Sequence, residues 1–348
     1  MHGQLSSFAG YLLILLPPVL LACCVLFRIP ALAFLILIVV MPFLRALLGD
    51  GPARQPEWSE RYATALDRLP IVAALAHLAA FSLVIWSLAR SEPGSATLIW
   101  LGASMWATFI FASCVSHELS HRRALAARDL SSVLSGVIGY PWQMHEHFSH
   151  HSMRPIFTDL DCPRTDESVW GFTWRRLLAI TGTAREGNAA ASVLRRSEWL
   201  GGLPLAVTTT AVTALAMFAV AGGTGLVLYI VVAAAVTWTM QAMTYVQHWG
   251  LDSGSSENLA NVAWEDRCQL QAWLTLNICY HQAHHTARGK PYYRLEAVEG
   301  SPKAPAGYVV LLAACLIPPV WRSLMLPALE RWKRSPLEQF TAGRRMVC

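Results

Sequence analysis

Charge is scarce in this chain. Asp, Glu, Lys and Arg make up 14% of its 348 residues, against about 25% in a typical soluble domain. With 54% hydrophobic residues and a mean hydropathy of +0.39, it cannot be the two soluble domains its length would allow. A polytopic membrane protein fits instead. No C-x-x-C pair occurs among the eight cysteines (23, 24, 114, 162, 268, 279, 315 and 348). That excludes zinc ribbons and the rubredoxin and ferredoxin patterns. Several of these cysteines lie inside apolar runs, where a thiol packs as a small hydrophobe, and all are expected to stay reduced. Haem, flavin and iron–sulfur motifs are missing. So are nucleic-acid-binding motifs, and the net charge of +5 comes from dispersed basic residues that suit an anionic lipid surface. No Lys or Arg precedes the first apolar run and no small-residue cleavage site follows it. That run is expected to be a retained anchor. No fixed-period repeat is present.

Apolar runs are abundant. Six are long enough to read as transmembrane helices, at about 8–27, 31–48, 70–89, 96–116, 203–222 and 225–247. A polar turn, RSEPGS, joins the third to the fourth, and a glycine-rich turn at 222–225 joins the fifth to the sixth. Pro17 and Pro18 should kink the first. A seventh run at about 306–321 is short and carries Pro318 and Pro319. It reads as an interfacial or re-entrant helix. Six spans put both termini on one side and leave only Arg28 and Arg90 on the other. The positive-inside rule then makes the termini and residues 49–69, 117–202 and 248–348 cytoplasmic. The expected fold is therefore an all-α membrane protein, one integral membrane domain over residues 1–348. Six transmembrane helices carry a cytoplasmic cap containing segments 117–202 and 248–348.

Histidine is the conspicuous polar residue. Ten of the twelve lie at cytoplasmic span ends or in cytoplasmic segments; His2 is terminal and His77 lies within the third span. HELSH places His117 and His121 at i and i+4, one face of a helix. EHFSHH places His147, His150 and His151 at i, i+3 and i+4. YHQAHH repeats that spacing with His281, His284 and His285. His248 stands alone in QHWGL at the end of the sixth span. Nine neutral imidazoles at one membrane face suit two metal ions with four or five protein ligands each. Magnesium or calcium would want oxygen ligands, which leaves zinc, iron, manganese or copper. His145, two residues before His147, is poorly placed to share that face and is expected to be a surface residue or a neighbour of the ligands.

HELSH, EHFSHH, QHWGL and YHQAHH together resemble the integral-membrane non-haem di-iron oxygenase and desaturase superfamily. The order of the boxes is most similar to the alkane monooxygenase branch, which includes xylene monooxygenases. FTDLDCPRTDESVWGF resembles that branch's acidic segment. The likeness covers about 30 to 320. This chain departs from the branch at Ser149, where a Gly is usual, at QHWGL for EHYGL, and in its third box. The resemblance implies that two iron ions are held by His117, His121, His147, His150, His151, His248, His281, His284 and His285. It further implies O2 as co-substrate and insertion of one oxygen atom into a C–H bond, as by an alkane 1-monooxygenase. Iron fits such chemistry because it changes oxidation state and zinc does not.

An all-imidazole shell is neutral and needs carboxylates nearby. Glu118, Glu146, Asp159, Asp161, Asp166, Glu265 and Asp266 are candidates to orient the imidazoles. Asn277, four residues before His281, is a candidate to hold a metal-bound water. Arg122 and Arg123 are candidates to pair with these carboxylates or with lipid headgroups. An apolar substrate from the bilayer would meet Trp106, Phe109 and Ile110 on the fourth span, and Trp238, Gln241 and Thr244 on the sixth. Electrons must come from a separate carrier, a rubredoxin or ferredoxin with its reductase, docking on the basic face. A bacterial inner-membrane location with a cytoplasmic site follows from this scheme. The alternatives are a fatty-acyl desaturase or hydroxylase of the same superfamily, an H-E-x-x-H membrane zinc protease with Glu118 as base, and a metal transporter.

Overall fold

The computed structural model of this protein describes residues 2–51, 54–151, 160–186, 202–251, 263–287 and 289–334. The side chains of residues 2, 149–151 and 183–186 are outside that description. The described residues form helices and a single isolated bridge between Glu265 and Lys303. The chain begins with helix α1 (Gly3–Leu26) and the shorter apolar helix α2 (Leu32–Leu48). The long helices α3 (Glu60–Leu88) and α4 (Ser95–Ser120) follow. Next come α5 (Leu125–Val137), α6 (Gln143–His151) and α7 (Val169–Glu186). The 46-residue α8 (Leu203–His248) leads to the short α9 (Gln269–Leu274) and α10 (His281–Thr286). The described chain closes with α11 (Tyr308–Cys315) and α12 (Pro318–Arg334). Among the described residues α1, α3, α4 and α8 are long and apolar enough to cross a membrane. The protein is an integral membrane protein.

A straight α8 would be about 69 Å long, more than twice a bilayer core. It is not straight. Ala221 (φ −135°) leaves the helical region and Gly222 sits at φ 59°, a left-handed conformation that glycine adopts without a Cβ penalty. The two limbs fold back on each other. Thr210 on the first and Tyr229 on the second both donate to the Gly136 carbonyl, at 3.0 and 2.9 Å. A continuous helix would hold those two residues about 28 Å apart. The break falls where the sequence shows its glycine-rich turn.

The segment after HELSH turns back along the bundle. Helix α5 runs back beside α4 and between the limbs of α8. Ser131 and Ser116 exchange hydrogen bonds across α5 and α4, at 2.6 and 3.0 Å, the close polar contact that small residues allow between membrane helices. The chain then reverses at Gly139 (φ 76°), where a Cβ would lie 2.2 Å from that of Ala233. Returning, it delivers α6 to the histidines. The last apolar run is two helices rather than one, α11 and α12, separated just before Pro318.

Helix α7 has two faces. Val169, Phe172, Thr173, Arg176 and Ile180 are buried, while Trp170, Trp174 and Leu178 are more than half exposed. Trp170 lies against Trp238 of α8, ring centres 5.2 Å apart, so the exposed stripe continues the apolar surface of a spanning helix. Tryptophans at such a position suit the membrane interface.

Candidate metal centre

Four elements converge where α4 and α8 end. His117 lies in the last turn of α4 and His121 caps it. Helix α6 brings His147, and α10 brings His284. One ring nitrogen from each of these four histidines lies within 4.8 Å of those of the others, close enough to share one metal ion. His121 Nε2 and His147 Nε2 approach to 2.6 Å. A second group unites His248, the last residue of α8, with His281 and His285 of α10, all three buried. The Nε2 atoms of His281 and His285 are 2.9 Å apart. Seven of the nine expected ligands thus fall into two sets, one of four and one of three. His150 and His151 end helix α6, but their side chains lie outside the described residues. His145 is 3% exposed and belongs to neither group, so it is a buried neighbour and not a surface residue.

Among the described residues the donor set in both groups is imidazole nitrogen alone. That chemistry fits a borderline transition ion and not magnesium or calcium. The i, i+3, i+4 spacing of YHQAHH places its three imidazoles on one helical face. In α10, His281 and His285 share a face while His284 turns to the other group.

The described carboxylates among those expected to orient the imidazoles lie beside arginines. Glu118 lies 3.0 Å from Arg122, which also donates to Asp67 at 3.0 Å. Glu146 pairs with Arg176, and Asp161 accepts from the same guanidinium at 2.7 Å. Asp266 is fully buried and accepts from both Nε and Nη2 of Arg45, the shortest bond 2.7 Å. Glu265, also fully buried, accepts from Ser301 at 2.5 Å. Burial pushes its carboxyl up to about 7, against the opposing influence of Ser301 and Arg267. Asp166 sits on the surface beside Arg164, and Arg123 is exposed. Asp159 lies outside the described residues.

Asn277 requires a correction. It is not on the helix of His281, because Leu276 and Asn277 both have positive φ (51° and 58°) in the turn before α10. Its amide donates to the Tyr292 carbonyl and the Tyr11 hydroxyl, both at 2.8 Å. Those bonds hold the turn.

Arg176, Tyr140 and Gln143 are the residues that sequence reasoning missed. Arg176 is 2% exposed, and besides its two carboxylates it donates to Gln241. Gln241 in turn donates to Tyr140 and Glu146, at 2.8 and 3.0 Å. Burial lowers the affinity of this guanidinium for its proton, but Glu146 and Asp161 more than reverse that, so it stays charged. A signal existed: Arg176 occupies the apolar face of α7, four residues after Phe172 and four before Ile180.

A cavity of about 170 Å³ opens between α4, α6 and α8, with His117 and His147 of the first group and His248 and His281 of the second on its wall. Ile110 and Thr244 line it, as expected. The other four proposed lining residues do not. Phe109 packs edge-on against Phe81. Trp238 packs against Trp170, and Gln241 belongs to the Arg176 network. Trp106 lies further along α4, its indole N–H bonded to Thr239.

The family model described as fatty acid desaturase matches residues 92–312, from the start of α4 into α11. The chain belongs to that family. The chain is 24% identical over 325 residues to the alkane 1-monooxygenase of Pseudomonas putida, covering 86% of this chain and 78% of the relative. It is 23% identical over 335 residues to alkane 1-monooxygenase 2 of Pseudomonas aeruginosa, covering 88% and 86%. It is also 26% identical over 274 residues to the hydroxylase component of the xylene/toluene monooxygenase of Pseudomonas putida, covering 76% and 73%. These are the relatives that the four histidine boxes anticipated, and they make this chain an oxidoreductase.

Proposed function

We propose that this protein is a membrane-bound di-iron monooxygenase that hydroxylates a C–H bond of an apolar substrate, an alkane terminal methyl or an aromatic methyl. The observation that carries this reading is the cavity: one mostly apolar chamber between membrane helices touches both histidine groups. A substrate there lies beside both histidine groups. The names of the relatives, alkane and xylene/toluene monooxygenases, support the same reaction class. The nine histidines are the proposed ligands, with His150 and His151 adding to the seven already grouped. Two iron ions held there would supply the redox chemistry that activates O2 with two external electrons. The chain's own part is to fix the imidazoles, exclude water and present the C–H bond.

Glu118 is engaged with Arg122 rather than with the histidine groups, which argues against an H-E-x-x-H protease. The electron donor is proposed to be a rubredoxin or ferredoxin with its reductase. The membrane is proposed to be the bacterial inner membrane with the site on the cytoplasmic side, following the positive-inside rule. The family description gives one specific rival, desaturation of a fatty acyl chain. Purified protein should hold about two irons per chain. With a reconstituted carrier it should convert alkanes or alkylbenzenes into alcohols. An iron content well below that, or alkene as the product, would overturn the proposal.

A further inference from the structure

A hydrocarbon dissolved in the bilayer has to reach the histidine-lined chamber. A second cavity, of about 430 Å³, lies along the same seam of α4 and α8, further from the histidines. Its rim residues Ile99, Val227 and Val231 are 60% exposed or more. On membrane-crossing helices that exposure faces lipid tails.

The two cavities lie on continuous helical stripes. On α4 the outer cavity is lined by Ile99, Gly102 and Trp106, and the inner one by Ile110, Ser113 and His117. Steps of three and four residues keep these on one face. On α8 the outer cavity is lined by Val227, Val231 and Ala235, and the inner one by Met243 and Gln247. The four-residue step missing from that series is Thr239, which lines neither. Its hydroxyl donates to the Ala235 carbonyl at 2.7 Å and accepts the Trp106 indole N–H at 3.0 Å. The indole is thus tied across the seam at the boundary between the cavities.

We infer that the Trp106–Thr239 hydrogen bond is a latch dividing one substrate channel into an outer vestibule open to lipid and an inner reaction chamber, and that it sets the length of hydrocarbon accepted. This rests on the hydroxylase reading. From Trp106 to His117 is about 16 Å of helix, and from Ile99 about 27 Å. A molecule that fits below the indole is held whole in the chamber. A longer one needs the latch open. Gly102 lies on the vestibule wall where α4 and α8 close on each other, and even a Cβ there would lie 3.0 Å from Leu228.

The test uses the full chain in nanodiscs with straight-chain hydrocarbons of graded length carrying a photoreactive diazirine. Labelled residues are mapped by mass spectrometry, and alcohol products are profiled in parallel. In the wild type, short probes should label the chamber around Cys114 and Met240, and long probes should label mainly the vestibule. Trp106→Ala should let long probes reach the chamber and should lengthen the range of substrates hydroxylated. Thr239→Val keeps the shape and removes only the acceptor. It should increase long-probe labelling of the chamber by about fivefold, the worth of one neutral hydrogen bond. Gly102→Leu should reduce chamber labelling by every probe while leaving iron content unchanged. Identical labelling in the wild type, W106A and T239V, or long probes already filling the wild-type chamber, would overturn the latch. Labelling needs no turnover. Correct labelling without any alcohol would therefore remove the hydroxylase reading and leave the channel, and alcohol with labelling elsewhere would do the reverse.

Discussion

His284 and His285 are consecutive in the chain, yet they serve different histidine groups. Their ring centres are 6.0 Å apart and their planes cross at 83°. One turns toward His117, His121 and His147, the other toward His248 and His281. The six residues of α10 therefore contribute to both histidine groups.

Alanine at either position should strip one centre and leave the other. Iron in His284→Ala and in His285→Ala should each fall from about two to about one per chain. Activity should fall beyond the roughly 10–100-fold seen when an outer partner of a ligand is removed. Metal analysis of each single variant and of the pair checks this. A single variant that keeps its full iron would contradict the division.

His145 and His147 offer the complementary test. His147→Ala should lose metal, while His145→Ala should retain it near the wild-type level despite its burial. Loss of metal in both would place His145 among the ligands.

Arg176 holds two carboxylates from one buried guanidinium. Arg176→Met should destabilise the protein by about 3–5 kcal/mol, because it leaves Glu146 and Asp161 buried without their partner. Adding Glu146→Gln and Asp161→Asn to that variant should recover part of the loss. Thermal unfolding in detergent reads both effects, and equal stability of the single and triple variants would refute the account.

Glu265 predicts a pH dependence. Burial raises its folded-state value to about 7, above the unfolded carboxylate range. The folded protein therefore keeps a proton that the unfolded chain gives up. Stability should fall as pH rises from about 4.5 to 7 and then level off, a change of up to about 3 kcal/mol. Glu265→Gln should flatten that slope. Melting curves across this window decide it, and a slope of opposite sign would rule it out.

The sequence made the histidine boxes legible because imidazoles at i, i+3 and i+4 are rare and their topology gathered them at one face. The α8 bend was legible too, since Gly222 lies within a glycine-rich turn. The division of the third box was not. Spacing along one helix says which side chains are neighbours, but not that partners approach from two directions. Asn277 was misjudged for a related reason: a helical register was extended through Leu276 and Asn277, whose positive φ angles the residue types do not announce. The return of α5 into the bundle escaped notice because its serines read as polar. Their hydroxyls are in fact satisfied by helix carbonyls, such as that of Ser116.

The hairpin of α8 also imposes an order in time. The Gly136 carbonyl has a local bond from the Gly139 N–H at 3.1 Å, and it gains two more from Thr210 and Tyr229, the latter 93 residues further along the chain. During synthesis those two cross-helix bonds must wait until both limbs have been made. The histidines wait longer still. Residues 117, 121, 147 and 248 emerge first, and neither group closes until α10 has been made. Neither group can therefore assemble before the four long apolar helices have been made.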